Sequence, residues 1–275
     1  MKFLHYIKLL LLSFFPVLIL FYYLTLYYVN NYKLNDTTEV YKSCSKQWSS
    51  RGVYNTHKEQ NSLKSFSKAF KSDYSGVEVD FYYDVSLNKF IVSHGKPSKN
   101  STETLFTLEK LFHELGKNHY FWLDFKNLDR ITMNETDKAI KHLKEITVND
   151  SIKDKIYIEG STVFKLSKYK AAGFKTLFAL SPLPESSFFS SVASNVLKIA
   201  YSIYGFSGVA IPYGDLEDPK YGKQTQKNLS GIPTFIFHVP VNEPLLLELS
   251  NMDDVRVILA GRDKSLNIAY INSCK

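Results

Sequence analysis

From Gln47 to the C-terminus, short apolar runs alternate with longer amphipathic stretches, and this alternation is the dominant signal in the chain. Extended runs lie at Trp48–Val53, Gly76–Tyr83, Phe90–Ser93, Tyr120–Phe125, Lys155–Ile158, Lys175–Leu180, Gly208–Ile211, Pro233–His238 and Val255–Leu259. Between them apolar residues recur at helical spacing. Leu63, Phe66 and Phe70 mark one face of a helix over Asn61–Phe70 with a good cap at its start. Leu105, Leu108, Leu111, Phe112 and Leu115 do the same over Leu105–Leu115. Glu135–Ile146 and Thr162–Ala172 follow, the latter stopped by Gly173. Further helices are expected at Ser187–Tyr201, Tyr221–Leu229 and Glu243–Leu249.

Strand–helix alternation on this scale implies a parallel sheet covered by helices. Eight such units fit a (β/α)8 TIM barrel, whose usual length is about 250 residues. An open doubly wound sheet is the alternative. It lacks the glycine-rich phosphate turn after the first strand, since Arg51-Gly52-Val53 carries one glycine.

The N-terminal part follows a different pattern. Leu9 to Val29 carries no charged residue and is long enough to cross a bilayer as a helix. Lys2 and Lys8 precede or flank it, and no acidic residue comes before Asp36, so the positive-inside rule places the N-terminus in the cytoplasm and the rest outside. A cleavable signal peptide is the competing reading, but it calls for a shorter apolar core and a small-x-small exit. The exit here, Tyr22 to Val29, is bulky, and its tyrosines suit a membrane-interface belt. The expected organisation is a single transmembrane anchor over 1–30, a polar tether over 31–45 and a barrel over 46–275. The barrel would then be extracytoplasmic, in a periplasmic or extracellular space.

The formal charge of +7 falls to +4 once Lys2, Lys8 and Lys33 are set aside. The remaining lysines are scattered, with no basic stripe or motif for nucleic acid, so no nucleic-acid partner is expected. A slight positive balance still favours anionic lipid or phosphate near a membrane. Of the two cysteines, Cys44 and Cys274, each lies at one end of the expected barrel. No C-x-x-C pair points to zinc. In an oxidising compartment the two could form a disulfide closing nearly the whole domain; two separate thiols are the other reading. Asn100-Ser101-Thr102 is one of several glycosylation-type sequons.

Candidate chemistry gathers at strand ends. Glu78 and Asp80 share one face of an apolar strand pattern because they are two residues apart. Charges so placed need a partner or a metal. Phe121 to Lys126 is another apolar strand that ends in an acid, Asp124, and a base, Lys126. Three carboxylates at adjacent strand ends suit magnesium or calcium rather than zinc. A buried pair neutralised by Arg51 or Lys126 is the alternative. His94 closes the Phe90–Ser93 run beside the acids, and imidazole suits general acid or base work. His113 and His142 fall in amphipathic helices and read as surface residues, whereas His57 and His238 would lie near the functional barrel face.

In order along the chain stand Ser50-Arg51-Gly52, Gln60-Asn61-Ser62, Glu78-x-Asp80, His94, Thr107-Leu108-Glu109 and Asp124-x-Lys126. This order resembles the glycerophosphodiester phosphodiesterase superfamily, whose motifs run His-Arg-Gly, Pro-Glu-Asn-Thr, Glu-x-Asp, His-Asp, Pro-Thr-Leu-Glu-Glu and Glu-x-Lys. Ile158-Glu159, with Phe164 and Leu166, also resembles the family's fourth strand and next helix. The resemblance implies a TIM barrel, a divalent metal on Glu78, Asp80 and Asp124, phosphate held by Arg51 and Lys126, and His94 as one of two catalytic histidines. It implies a phosphodiester substrate. The chain departs from the pattern where Ser50 replaces the first histidine, Gln60 a glutamate, Gly95 an aspartate and Asp124 a longer acid. The short span from His94 to Thr107 leaves no room for the insertion of many glycerol-specific members; the compact spider-venom-type phospholipase D enzymes share the barrel, and a lipid head group becomes conceivable. His57, seven residues after Ser50, or His238 is the candidate to replace the missing imidazole. Two functions follow: a membrane-anchored metal-dependent phosphodiesterase, or a barrel that binds phosphate, lipid or glycan without turnover.

Overall fold

The computed structural model describes residues 2–34, 46–96, 105–116, 118–148, 152–181 and 188–261. Cys44 and Cys274, most of the tether and the Asn100 sequon lie outside the described residues.

Eight parallel strands close into a barrel: β1 (Gln47–Ser50), β2 (Gly76–Asp84), β4 (Tyr120–Phe125), β5 (Ile156–Gly160), β6 (Lys175–Ala179), β7 (Gly208–Pro212), β8 (Thr234–Val239) and β9 (Val255–Ala260). The pairing of β1 with both β9 and β2 completes the circle. β3 (Lys89–Val92) stands outside it, antiparallel to the upper half of β2. The expected TIM barrel is the observed fold.

Helices α2 (Leu63–Lys71), α3 (Leu108–Leu115), α4 (Met133–Thr147), α5 (Val163–Ala171), α6 (Phe188–Tyr204), α7 (Lys223–Asn228) and α8 (Glu243–Ser250) connect the strands. Their starts are set by side-chain caps. Ser62 Oγ accepts from Ser65 N and Ser65 Oγ accepts from Ser62 N, so α2 begins at Leu63 and Asn61 is left outside it. Thr107 and Thr132 cap α3 and α4, which shifts one start later and the other earlier than the apolar spacing alone suggests.

Two cores follow from strand alternation. Outward-facing residues such as Val77, Val79, Phe121 and Leu123 pack under the helices. Inside the barrel, Trp48, Trp122, Tyr157, Leu177, Phe235 and Val257 form a separate cluster. Gly76 belongs to this interior: a Cβ there would lie 2.4 Å from the Trp48 ring. The aromatic plug fills the barrel's lower part, and the polar inward positions come above it.

Helix α1 (Lys2–Tyr28) precedes the barrel, and Phe14–Asn31 is apolar enough by length and composition to cross a membrane. The helix continues as a π turn over Val29–Lys33. Val29 at the end of the expected anchor and Leu34 of the expected tether are buried, so the chain is packed against the domain at both points. Leu34 lies against Gly231, in the turn that enters β8. The chain thus joins the barrel at the end where strands begin.

Candidate active site

β1 stops earlier than its apolar run suggests because Arg51 and Gly52 take left-handed conformations, with φ of 57° and 82°. The turn they make carries Arg51 over the barrel mouth. Arg51 N donates to the Glu78 carbonyl, and Asn61 N donates to the Arg51 carbonyl. Asn61, itself left-handed at φ 49°, then clamps the neighbouring strand. Its Oδ1 accepts from Asp80 N at 3.0 Å, and its Nδ2 donates to Asp80 Oδ2 at 2.9 Å.

Asp80 is fully buried and is the hub of the site. Arg51 Nε lies 2.8 Å from Oδ2, and His94 Nδ1 lies 2.9 Å from the same oxygen. Lys126 Nζ lies 2.6 Å from Oδ1 and also pairs with Asp124 Oδ2. Register explains the convergence. Asp80 is paired across the sheet with Asp124, and Asp124 with Glu159. Lys126 N bonds the Phe81 carbonyl, and the Asn127 carboxamide exchanges two hydrogen bonds with the Tyr83 backbone, fixing the loop that carries Lys126. His94 arrives from the other side. β3 runs antiparallel to β2 with Val92 opposite Phe81, so the next residues return to the level of Asp80, and Ser93 N bonds the Asp80 carbonyl.

Glu78, Asp80 and Asp124 each offer an oxygen within 4.8 Å of the others. Ser50 Oγ donates to Glu78 Oε2 at 2.5 Å, and Trp122 Nε1 donates to Glu159 Oε2 at 2.5 Å. Burial, reinforced by the charges of Asp80 and Asp124, pushes the Glu78 carboxyl up to about 8 despite Arg51 and Lys126. Burial and the Asp124 charge likewise hold Glu159 well above the usual range. Burial raises Asp124 as well, against the pull of Lys126. Asp80 is the exception: burial opposes its charge, but Lys126 and Arg51 outweigh it and keep the group below the usual value. Lys126 is raised in turn, because Asp124, Asp80 and Glu78 overcome its own desolvation.

Four carboxyls therefore face two permanent cations, with protons making up the balance. A divalent ion fits this donor set. Three hard oxygens converge, and Asp80 Oδ1 is buried without an aligned hydrogen bond although Lys126 is close. The alternative reading of the acid pair also has its counterpart here, since Arg51 and Lys126 both neutralise Asp80.

The remaining candidates are placed as follows. His57 sits exposed in a 3-10 turn (His57–Glu59), with Nδ1 2.9 Å from Gln60 Nε2; Gln60 in turn lies 3.5 Å from Arg51 Nη1. Gln60 and Arg51 thus stand between His57 and Asp80 among its hydrogen-bonded neighbours. His238, next to last in β8, has φ of 54° and its ring is edge-on to Phe237. His113 is at the surface, but His142 is not: its side chain is 14% exposed, bonded to Glu109 at 2.7 Å and stacked on Phe90. The surface expectation for His142 fails because α4 packs it between α3 and β3. Asn61, Ser50 and Glu159 join the site beyond the residues singled out from sequence as catalytic or metal-binding. Ser50 and Asn61 stand in the ordered motifs, and Glu159 in the Ile158-Glu159 pair that resembles the family's fourth strand.

No family model matches the chain, and no curated protein matches it in sequence. Solved structures do. A glycerophosphodiester phosphodiesterase from Parabacteroides distasonis superposes with a TM-score of 0.57 at 17% identity, covering 80% of this chain and 94% of the other. A glycerophosphoryl diester phosphodiesterase from the same organism gives 0.53 at 12% identity, covering 84% and 87%. A Silicibacter pomeroyi protein named as a candidate glycerophosphoryl diester phosphodiesterase gives 0.59 at 11%, covering 83% and 93%. The chain has the (β/α)8 barrel fold of glycerophosphodiester phosphodiesterases.

Proposed function

We propose that the chain is a metal-dependent phosphodiesterase that acts outside the cytoplasm while anchored to a membrane by α1. Its substrate would be a phosphodiester: a lipid head group, a glycerophosphodiester or a phosphodiester-linked glycan. The observation that carries this reading is the convergence of Arg51, Lys126, His94 and Asn61 on Asp80, at the end of the barrel where catalytic groups collect.

Glu78, Asp80 and Asp124 would hold magnesium or calcium, which supplies Lewis-acid polarisation of a phosphoryl oxygen. The chain's own residues do the rest. Arg51 keeps its Nε on Asp80, which orients the terminal nitrogens for phosphate oxygens. Lys126 adds a second positive charge beside the acids. Asp80 accepts from His94 Nδ1, so Nε2 becomes the nitrogen that takes or gives a proton. Protonated, it serves the leaving oxygen; neutral, it serves an attacking hydroxyl. His57 is the candidate for the complementary transfer and would have to leave Gln60 to make it.

A second reading, a barrel that binds phosphate, lipid or glycan groups without turnover, draws on Ser50. A hydroxyl bonded to Glu78 stands where the resemblance expects an imidazole. One assay separates the two: the full chain with bis-p-nitrophenyl phosphate and magnesium, calcium or manganese. The enzyme reading expects turnover that chelator abolishes and that His94→Ala lowers by about 100-fold or more. Metal binding by calorimetry with no turnover on this or lipid diesters would establish the binding barrel instead.

A further inference from the structure

The outward face of α6 departs from the polar face usual for a barrel helix. Its outward residues Val192, Val196 and Ile203 are 38%, 51% and 68% exposed, whereas Ser190, Ser194 and Lys198 are buried. Spacings of four and seven residues put the three apolar side chains on one stripe. The buried polar row is occupied: Ser194 Oγ donates to the Ser190 carbonyl, and Asn228 Nδ2 of α7 donates to Ser194. Phe164 of α5, also exposed, extends the apolar stripe through an edge-on contact with Tyr204. By strand order, α2 lies diametrically across the barrel from α6, and its outward residues are Lys64, Lys68 and Lys71. The two flanks differ in kind: one is cationic, the other apolar.

A second observation bears on what covers the apolar flank. α1 and its π turn both pack on α6, and Val29, near the end of the membrane-competent segment, is buried. The exposed apolar residues of α1, including Phe14, Leu18, Phe21 and Leu24, thus belong to a helix that packs on the one bearing the α6 stripe. We infer that the outer face of α6, with Phe164, rests in the interfacial layer of the same bilayer that α1 crosses. This rests on the reading of α1 as a membrane anchor. Because barrel helices run alongside their strands, a flank on the membrane lays the barrel axis along the surface. The mouth carrying Glu78, Asp80 and Asp124 then opens sideways over the head groups, which suits a lipid-borne phosphodiester.

The test is photo-crosslinking of the full chain in phosphatidylcholine–phosphatidylglycerol vesicles that carry a diazirine phosphatidylcholine, with adducts mapped by mass spectrometry. Lipid adducts are expected on α1 and on residues 191–204, the latter at least ten-fold above α2. The double substitution Val196→Lys, Ile203→Lys should remove the α6 adducts and keep those on α1. Adducts on α1 with none on α6 would overturn the proposal while leaving the anchor intact. Absence of adducts from α1 as well would overturn both.

Discussion

Ser50 and Asn61 show how single positions shape this site. Ser50 directs its hydroxyl at Glu78, so whatever side chain stands there reaches the acid cluster. Ser50→His would place an imidazole at the rim beside His94. If the chain is an enzyme short of one proton carrier, this variant should raise kcat on a phosphodiester at least ten-fold, with KM changed only a few-fold; an unchanged kcat removes the missing-imidazole account. Asn61 has the opposite character. It satisfies both the backbone N–H and the carboxylate of a buried aspartate. Asn61→Ala leaves the buried Asp80 N–H without its acceptor, at about 1–3 kcal/mol, while Oδ2 keeps Arg51 and His94. Thermal unfolding should show a drop of several degrees, and Asn61→Asp should fare worse because it adds a charge against Asp80. A melting temperature equal to that of the parent would mean that water replaces the carboxamide. From sequence, Asn61 was legible as part of a motif and as the start of a helix. That it leaves α2 and turns left-handed depends on Ser62 taking the cap, a competition between neighbouring polar residues that apolar spacing does not register.

At the scale of elements, the strands were legible to within a few residues because buried parallel strands are nearly continuous apolar runs. Tyr120–Phe125 is the same in sequence pattern and structure, whereas β1 ends three residues short of its apolar run at the left-handed Arg51. The role of the Phe90 run was harder to see. It is as apolar as a barrel strand, yet it folds back on β2 as an antiparallel edge, and only that return brings His94 beside Asp80. The barrel interior supplies the clearest test at this scale. Trp48 lies across the space above Gly76, where a side chain would meet its ring at 2.4 Å. Gly76→Val should force the indole out of the plug and cost about 1–3 kcal/mol or more, as overpacked cores do. The site sits on this plug through the Trp122–Glu159 bond, so magnesium affinity should weaken in the same variant. Calorimetry showing full affinity beside a lowered melting temperature would uncouple the plug from the acids.

For the molecule as a whole, the imbalance of charge at the barrel mouth ties folding, protons and metal together. Glu78 is raised from 4.5 to about 8, and Asp124 and Glu159 are raised in the same direction. A carboxyl whose folded value lies above its unfolded value binds more protons in the native state, so stability falls with increasing pH across that interval. The contribution of Glu78 is fully present below about 4.5 and is lost as pH climbs through about 8. Asp80, shifted the other way, loses its contribution only as the pH falls below the ordinary aspartate value and through its lowered folded one, outside this window. In chelator, the melting temperature should therefore decline from pH 5 to pH 8. A divalent ion at Glu78, Asp80 and Asp124 takes the place of the missing protons, so it should bind more tightly as pH rises. At a hundred times its dissociation constant a ligand of the native state adds about 2.7 kcal/mol. The magnesium- or calcium-induced rise in melting temperature should accordingly be larger at pH 8 than at pH 6. Glu78→Gln keeps an acceptor for Ser50 but removes the titrating carboxyl, so it should flatten the pH profile in chelator and shrink the metal effect at both pH values. A parent and variant with the same slope would place the linked proton elsewhere in the mouth, and a metal effect surviving in Glu78→Gln would take Glu78 out of the ligand set.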